Sequence, residues 1–298
     1  MKEIAILGAT ASGKTALAIK LAKEFDANIL SLDSLSIYKE IDIASAKPTL
    51  QERDGVKHFG INEIYPDTNF NVSIFFDIYK KAKEKSIKEH KNLIIVGGTG
   101  FYLKSLLTGL SQKPAISKET KRRVKIAIND MENAFKILQK NDETYAKKIS
   151  PNDSYRVEKW FEIYLQSGLG ASQYFKLHKQ KPLIENIEIF EIDTPKELLK
   201  KRIDLRTREM LKNGLIDEVV YLEKNYTRAP NSMKSIGIKE TLEFLDGFLD
   251  RDELRDKISQ NTAKLAKRQR TFNSTQFPLH VKGDLENLYH NISDTFNF

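Results

Sequence analysis

The chain has 298 residues, 40% of them hydrophobic and 30% charged, with a formal net charge of +8. That is enough for one large or two modest globular domains around a sizeable core. It contains no cysteine, which excludes disulfides, thiolate zinc sites and cysteine nucleophiles and leads us to expect a cytoplasmic protein. No run approaches about 18 uninterrupted apolar residues, and the apolar run at the amino terminus is too short for a signal peptide, so no membrane role is expected. The basic balance suits a polyanionic partner, although a lysine-rich stretch such as residues 79–91 reads equally well as a solvated helix face.

In chain order, residues 4–7 form a short apolar run, residues 8–15 a loop of small residues, and Ala16, Ile19, Leu21, Ala22 and Phe25 an approximately helical apolar pattern. This predicts strand, loop, helix. Residues 27–34 suggest a second strand, residues 93–96 a third ending in Gly97 and Gly98, and residues 187–192 a later one. Thr194 and Pro195 are expected to be the N-cap and first position of a helix that runs to about Gly214. Such alternation argues for an α/β fold, a parallel sheet with helices on both faces, with ligands at the carboxyl ends of its strands. Between 113 and 181 the strand signals vanish, and charged, helical, aromatic-spotted segments replace them. The expected organisation is a core of residues 1–112 and 182–298 carrying an all-helical insertion of residues 113–181.

Residues 8–15, GATASGKT, match G-x-x-x-x-G-K-[ST] between a predicted strand and a predicted helix, the context that a phosphate-binding loop requires. Gly8, Ala9, Thr10, Ala11, Ser12, Gly13, Lys14 and Thr15 are therefore the phosphate-binding candidates. Backbone amides and a helix N-terminus converge on the anion, Lys14 supplies a mobile charge, and Thr15 can hold Mg²⁺. The motif leaves ATP, GTP and a prenyl diphosphate open, although no guanine-reading N-K-x-D is apparent. Asp33, at the end of the second strand, could serve a metal, a substrate or a proton transfer. After the third strand, GGTGFY offers the Thr99 hydroxyl and glycines that would let the backbone approach a ligand.

Together GATASGKT, DSLSIY at 33–38, ASAKPT at 44–49 and GGTGFY at 97–102 resemble the motif series of the tRNA dimethylallyltransferase (tRNA isopentenyltransferase) family. Pro151, Asn152, Asp153, Arg156 and Lys159 extend the resemblance, as do Arg202, Arg206, Met210, Gly214, Glu218 and Val219, and the stretches 236–240 and 265–269. The chain departs from the family pattern at Ala9, where Pro is usual, and at Ser36, where Gln is usual. It departs also at Lys121, Tyr155, Lys159, Ile238 and Phe272. The family's eukaryotic members carry a C-terminal zinc finger that this sequence lacks, so the resemblance is to the bacterial type.

The resemblance implies a P-loop NTPase-like core and transfer of a dimethylallyl group from dimethylallyl diphosphate to the exocyclic amine of the adenosine 3′ of the anticodon. It implies a diphosphate on the amides of residues 10–15, assisted by Lys14, by Mg²⁺ at Thr15 and by Arg202 or Arg206. Asp33 becomes the candidate base, and Thr99 the residue that orients the target amine. The tRNA anticodon stem-loop would be met by Asp33, Ser34, Leu35, Ser36 and Thr99, by Lys121, Arg122, Arg123, Tyr155, Arg156, Val157, Glu158 and Lys159 in the insertion, and by Lys234, Gly237 and Lys239. Trp160 and Phe161 are expected in the core, the five histidines show no metal-ligand spacing, and a monomer is expected. An adenylate isopentenyltransferase acting on free nucleotide and an ATP-dependent small-molecule kinase share the same phosphate loop.

Overall fold

A computed structural model describes residues 1–111, 113–277 and 279–297. The chain divides into two compact units, residues 1–105 with 184–298, and residues 106–183. The expected core limit at residue 112 lies outside the described residues.

The first unit opens with β1 (Glu3–Gly8), α1 (Lys14–Glu24), β2 (Ala27–Leu32), α2 (Leu50–Arg53), β3 (His58–Phe59), α3 (Val72–Lys88), β4 (Asn92–Gly97) and the start of α4 (Gly100–Thr108). In the second unit lie α5 (Lys118–Ala127), α6 (Met131–Asn141), α7 (Glu143–Ala146), α8 (Ser154–Ser167) and α9 (Ala171–Leu177). The first unit resumes with β5 (Glu188–Ile192), α10 (Lys196–Lys212), α11 (Leu215–Tyr226), a 3₁₀ turn (Asn231–Lys234), α12 (Ile238–Leu245), α13 (Arg251–Gln276), β6 (Val281–Gly283) and α14 (Leu285–Asn297).

All the strands are parallel, in the order β3-β2-β4-β1-β5-β6. The strands β1, β2, β4 and β5 are buried along most of their length, which is why they read as near-continuous apolar runs. Ile4, Ile6, Ile94, Val96, Phe190 and Ile192 point to one face, where Leu17 and Leu21 of α1 and Leu288 and Ile292 of α14 cover them. On the other face, the Tyr79 hydroxyl of α3 donates to Glu3 Oε2 at 3.3 Å. Pairing of Leu32 with Gly97 and of Gly8 with Ile192 brings four strand ends to one edge, so the segments after β1, β2 and β4 open side by side.

Two strands, β3 and β6, have no counterpart in the sequence reading, being only two and three residues long. The helix expected after Thr194 begins one residue late. Pro195, at φ −53° and ψ 138°, is extended and becomes the N-cap itself, and the helix stops at Lys212 before Gly214 turns to φ 98°.

The second unit has its own core, where Trp160 is fully buried and Phe161 nearly so, as expected. Trp160 stacks on Tyr164 with centroids 4.6 Å apart and donates its Nε1–H to Asp142 Oδ2 at 3.1 Å. The same oxygen accepts the Ser172 amide at 2.8 Å, and Oδ1 accepts the Tyr145 amide at 3.1 Å. Burial opposes ionisation of Asp142, but the hydrogen bonds from Ser172, Trp160 and Tyr145 outweigh it and hold the carboxyl below the usual Asp range. A depressed folded pKa contributes stability above the unfolded value that is lost as pH falls through the folded one. Asp142→Asn should therefore cost about 1–3 kcal/mol at pH 7. In denaturant melts of the second unit, the difference from wild type should shrink below the ordinary Asp pKa; a pH-independent difference would contradict the assignment.

Candidate active site

The phosphate loop follows β1 and is shaped by two close constraints. A Cβ on Gly8 would come 2.6 Å from Ser12 Oγ, so the loop can fold back only over glycine. Ala11 at φ 63° and Gly13 at φ 92° place left-handed residues on either side of Ser12, the alternation that gathers successive amides around an anion. Ser12 is fully buried, and its hydroxyl has no hydrogen-bond partner among the described residues. The amides of residues 10–15 were all expected as anion donors, but two are already engaged. The Thr10 amide donates to Gln269 Oε1 at 2.9 Å and the Ser12 amide to Ala9 O at 3.2 Å. The Ala11, Gly13, Lys14 and Thr15 amides form the narrower set.

Two basic side chains of α10 reach this loop. Arg202 Nη1 donates to Ser12 O at 3.3 Å. Arg206 Nη1 donates to Thr10 Oγ1 at 3.3 Å, and its Nη2 donates to Ala46 O at 3.2 Å. Lys14 Nζ donates to Ala9 O at 3.1 Å. Burial, reinforced by the Arg206 charge and opposed by Asp33, brings Lys14 down to about 8; burial likewise lowers Arg206, against the pull of Asp33. Two desolvated cations side by side are costly unless an anion joins them. Together with Thr15, they line a cleft of about 1210 Å³ whose far wall is Asp42, Ile43, Ala46, Lys47, Pro48 and Thr49. The ASAKPT segment thus returns over the phosphate loop.

Asp33 immediately follows β2. Its Oδ1 accepts the amides of Leu35 at 2.8 Å and Ser36 at 3.1 Å, an Asx turn that fixes the carboxylate and leaves Oδ2 as the second acceptor. Ser34 is exposed and Leu35 partly exposed, whereas Ser36 is buried; of the DSLS segment, Asp33, Ser34 and Leu35 have surface to offer a base. The Thr99 amide bonds to Leu32 O at 3.1 Å, which ties the β4 end to the β2 end beside Asp33.

The glycines around Thr99 also have a packing reason. A Cβ on Gly97 would fall 2.5 Å from Leu32 O, one on Gly98 2.3 Å from Gln269 Nε2, and one on Gly100 2.6 Å from Asn273 Oδ1. They admit the neighbouring strand and α13. Gln269 consequently touches both the phosphate loop and the β4 end. Its only signal in the sequence is membership of the 265–269 segment that carries the family resemblance.

In the second unit Lys121, Arg122, Arg123, Tyr155 and Arg156 are exposed. Val157 has no exposed surface and is removed from the expected RNA-contacting set, because its place on α8 turns it into the core beside Trp160. Lys159 is bound by Glu162 at 2.6 Å and Glu158 at 3.4 Å, so Glu158 acts first as its partner. In the first unit Lys234 and Lys239 are exposed. Gly237 is buried; its amide donates to Glu240 Oε2 at 2.8 Å and its carbonyl accepts the Thr241 hydroxyl at 2.6 Å, so its backbone is engaged in capping α12.

The parallel sheet, the loop after β1 and the cationic cleft define a P-loop α/β protein built to hold a phosphorylated ligand. The family model described as IPP transferase matches residues 36–276. A tRNA dimethylallyltransferase of Aliarcobacter butzleri is 55% identical over 297 residues, spanning 100% of both chains, and one of Sulfurovum sp. is 52% identical over 97% of this chain and 96% of its own. The full-length tRNA isopentenylpyrophosphate transferase of Bacillus halodurans superposes with a TM-score of 0.72 at 27% identity, covering 99% of this chain and 97% of that one. A eukaryotic dimethylallyltransferase solved acting on tRNA gives 0.82 at 26% identity over 96% of this chain and 74% of its own. The chain belongs to the IPP transferase family.

Thr10→Val removes the hydroxyl that receives Arg206 and leaves a partly buried N–H without that partner, a loss of about 1 kcal/mol or more. Isothermal titration with a prenyl diphosphate should show affinity lowered at least about fivefold, and unchanged affinity would contradict the bridge.

Proposed function

We propose that the protein is a tRNA dimethylallyltransferase, transferring the dimethylallyl group of dimethylallyl diphosphate to the exocyclic amine of the adenosine 3′ of the anticodon. The observation that carries this reading is the convergence of a cationic phosphate loop with Asp33 and Thr99 at one sheet edge, in a chain that matches enzymes of that name from end to end. The amine lone pair attacks the allylic carbon as its C–O bond breaks, and the electron pair leaves on the diphosphate. Lys14, Arg206 and the loop amides receive that charge. Asp33 Oδ2 accepts the amine proton, and the Thr99 hydroxyl orients the amine. Because an exocyclic adenine amine is a weak nucleophile, fixed alignment supplies much of the rate, and the base must leave its stack to reach Asp33.

Mg²⁺ is proposed to accompany the diphosphate, with the Thr15 hydroxyl as its protein ligand. The donor set fits, since Thr15 lines the same cleft as Lys14 and Arg206 and a diphosphate-borne Mg²⁺ takes most ligands from phosphate and water. When bound, the ion neutralises charge on the leaving group.

The exposed Lys121, Arg122 and Arg123 of α5 are proposed to contact tRNA phosphates together with Arg156, Lys234 and Lys239. The enzyme is proposed to act as a monomer in the cytoplasm; no helix among the described residues is long and apolar enough to cross a membrane. Replacing Lys121, Arg122 and Arg123 together by Ala should weaken tRNA binding and reduce its log–log salt slope by about 2–3. Unchanged affinity would place the RNA surface elsewhere.

The reading is tested by offering labelled dimethylallyl diphosphate and Mg²⁺ with either unmodified tRNA or AMP. Label entering tRNA alone is expected. Label in AMP alone would assign the protein to free-nucleotide chemistry, and label in neither would favour a kinase.

A further inference from the structure

Asp42, Ile43 and residues 46–49 line the same cleft as Lys14, Thr15 and Arg206, yet the 42–49 segment belongs to no strand and leads directly into α2. What holds its shape lies on α11. Glu218 Oε2 accepts the amides of Asp42 at 2.9 Å and Ile43 at 2.7 Å, and Oε1 accepts that of Ala44 at 2.9 Å. One carboxylate therefore takes three consecutive backbone donors. It sits in the first turn of α11, where the helix dipole favours negative charge. The segment then closes on itself through Ser45 Oγ to Ile41 O at 2.6 Å and the Ala46 amide to Ile43 O at 2.9 Å, with Ala46 at φ 44°. This strained turn delivers Ala46 O to Arg206 Nη2, while the other arm of the guanidinium rests on Thr10 of the phosphate loop.

The chain of contacts runs from Glu218 through residues 42–46 to Arg206 and from there to the phosphate loop. We propose that Glu218 is a positioning residue for the prenyl donor, acting through the Ala46 carbonyl to aim Arg206 at the diphosphate. This rests on the proposed role of Arg206 as a diphosphate ligand. The need for a carboxylate follows from the contacts: all three partners are N–H donors, so a group that itself carries N–H, as Gln does, meets donor with donor on one side. Burial raises the Glu218 pKa against the lowering effect of those amides, which fits a carboxylate retained for its acceptors at a cost in solvation.

The test is a double-mutant cycle in the full chain with tRNA, dimethylallyl diphosphate and Mg²⁺, using Glu218→Gln, Arg206→Lys and the pair. Lys cannot span Thr10 and Ala46 at once. The proposal predicts that Glu218→Gln raises the KM for dimethylallyl diphosphate about tenfold with the KM for tRNA within about twofold of wild type. It also predicts that the pair is no worse than Arg206→Lys alone, and that Glu218→Asp recovers part of the loss. Fully multiplicative effects, or a Glu218→Gln defect confined to the KM for tRNA, would overturn it. Should Glu218→Gln fail to fold, the same cycle is run with Glu218→Asp, for which the same coupling is expected. An Arg206→Lys variant with a normal donor KM would overturn the role of Arg206 as well, whereas an impaired Arg206→Lys beside a normal Glu218→Gln would overturn the positioning alone.

Discussion

The site depends on one guanidinium. Arg206 bridges the phosphate loop and the segment at 42–49 through Thr10 Oγ1 and Ala46 O; its charge helps to lower the Lys14 pKa, and Asp33 opposes the lowering of its own. Bringing two cations into a desolvated cleft works against folding, so the arrangement is one that a stability argument alone would not select. It is intelligible as electrostatic preorganisation: the charge awaiting the diphosphate is placed by folding rather than by the ligand, and little need reorganise as the leaving group develops charge. Arg is suited to this because its planar fork can serve two acceptors at once and stays charged when buried.

Around this bridge, the sheet supplies geometry and the helices supply locks. The parallel register aligns the ends of β1, β2 and β4, so strand pairing alone brings the phosphate loop, Asp33 and Thr99 to one edge. Gln269 then holds the phosphate loop through the Thr10 amide and packs its side-chain amide where a Cβ on Gly98 would lie. The second unit is organised separately, with Asp142 gathering Trp160, Tyr145 and Ser172, and its basic residues remain on the surface of a core that does not involve them.

Much of this was legible in the sequence because it rests on local pattern. The strands β1, β2, β4 and β5, the phosphate loop and the place of Asp33 follow from apolar runs and from a motif whose glycines have a steric cause. What escaped depends on contacts between distant residues. The strands β3 and β6 are too short to carry a period and exist through pairing with β2 and β5. Gly97, Gly98 and Gly100, read as openings for a ligand, also make room for Leu32, Gln269 and Asn273, which requires knowing what packs there. Val157 stood among candidate RNA contacts by its place in a motif, and the helical turn buries it. The three amides held by Glu218 are 174 to 176 residues away in the chain, beyond any local signal.

The central claim is that donor charge and acceptor proton are handled by separate groups of one prebuilt cluster. It is tested most directly by comparing Arg206→Met and Asp33→Asn in single-turnover prenylation of tRNA, with equilibrium binding of each substrate measured on the same proteins. The account predicts that Arg206→Met weakens dimethylallyl diphosphate binding at least about tenfold while tRNA binding holds. It predicts that Asp33→Asn binds both substrates nearly normally and slows the chemical step by about 10²-fold or more, the scale of a lost general base. An Asp33→Asn enzyme that turns over at the wild-type rate, or an Arg206→Met enzyme that binds its donor normally, would contradict it.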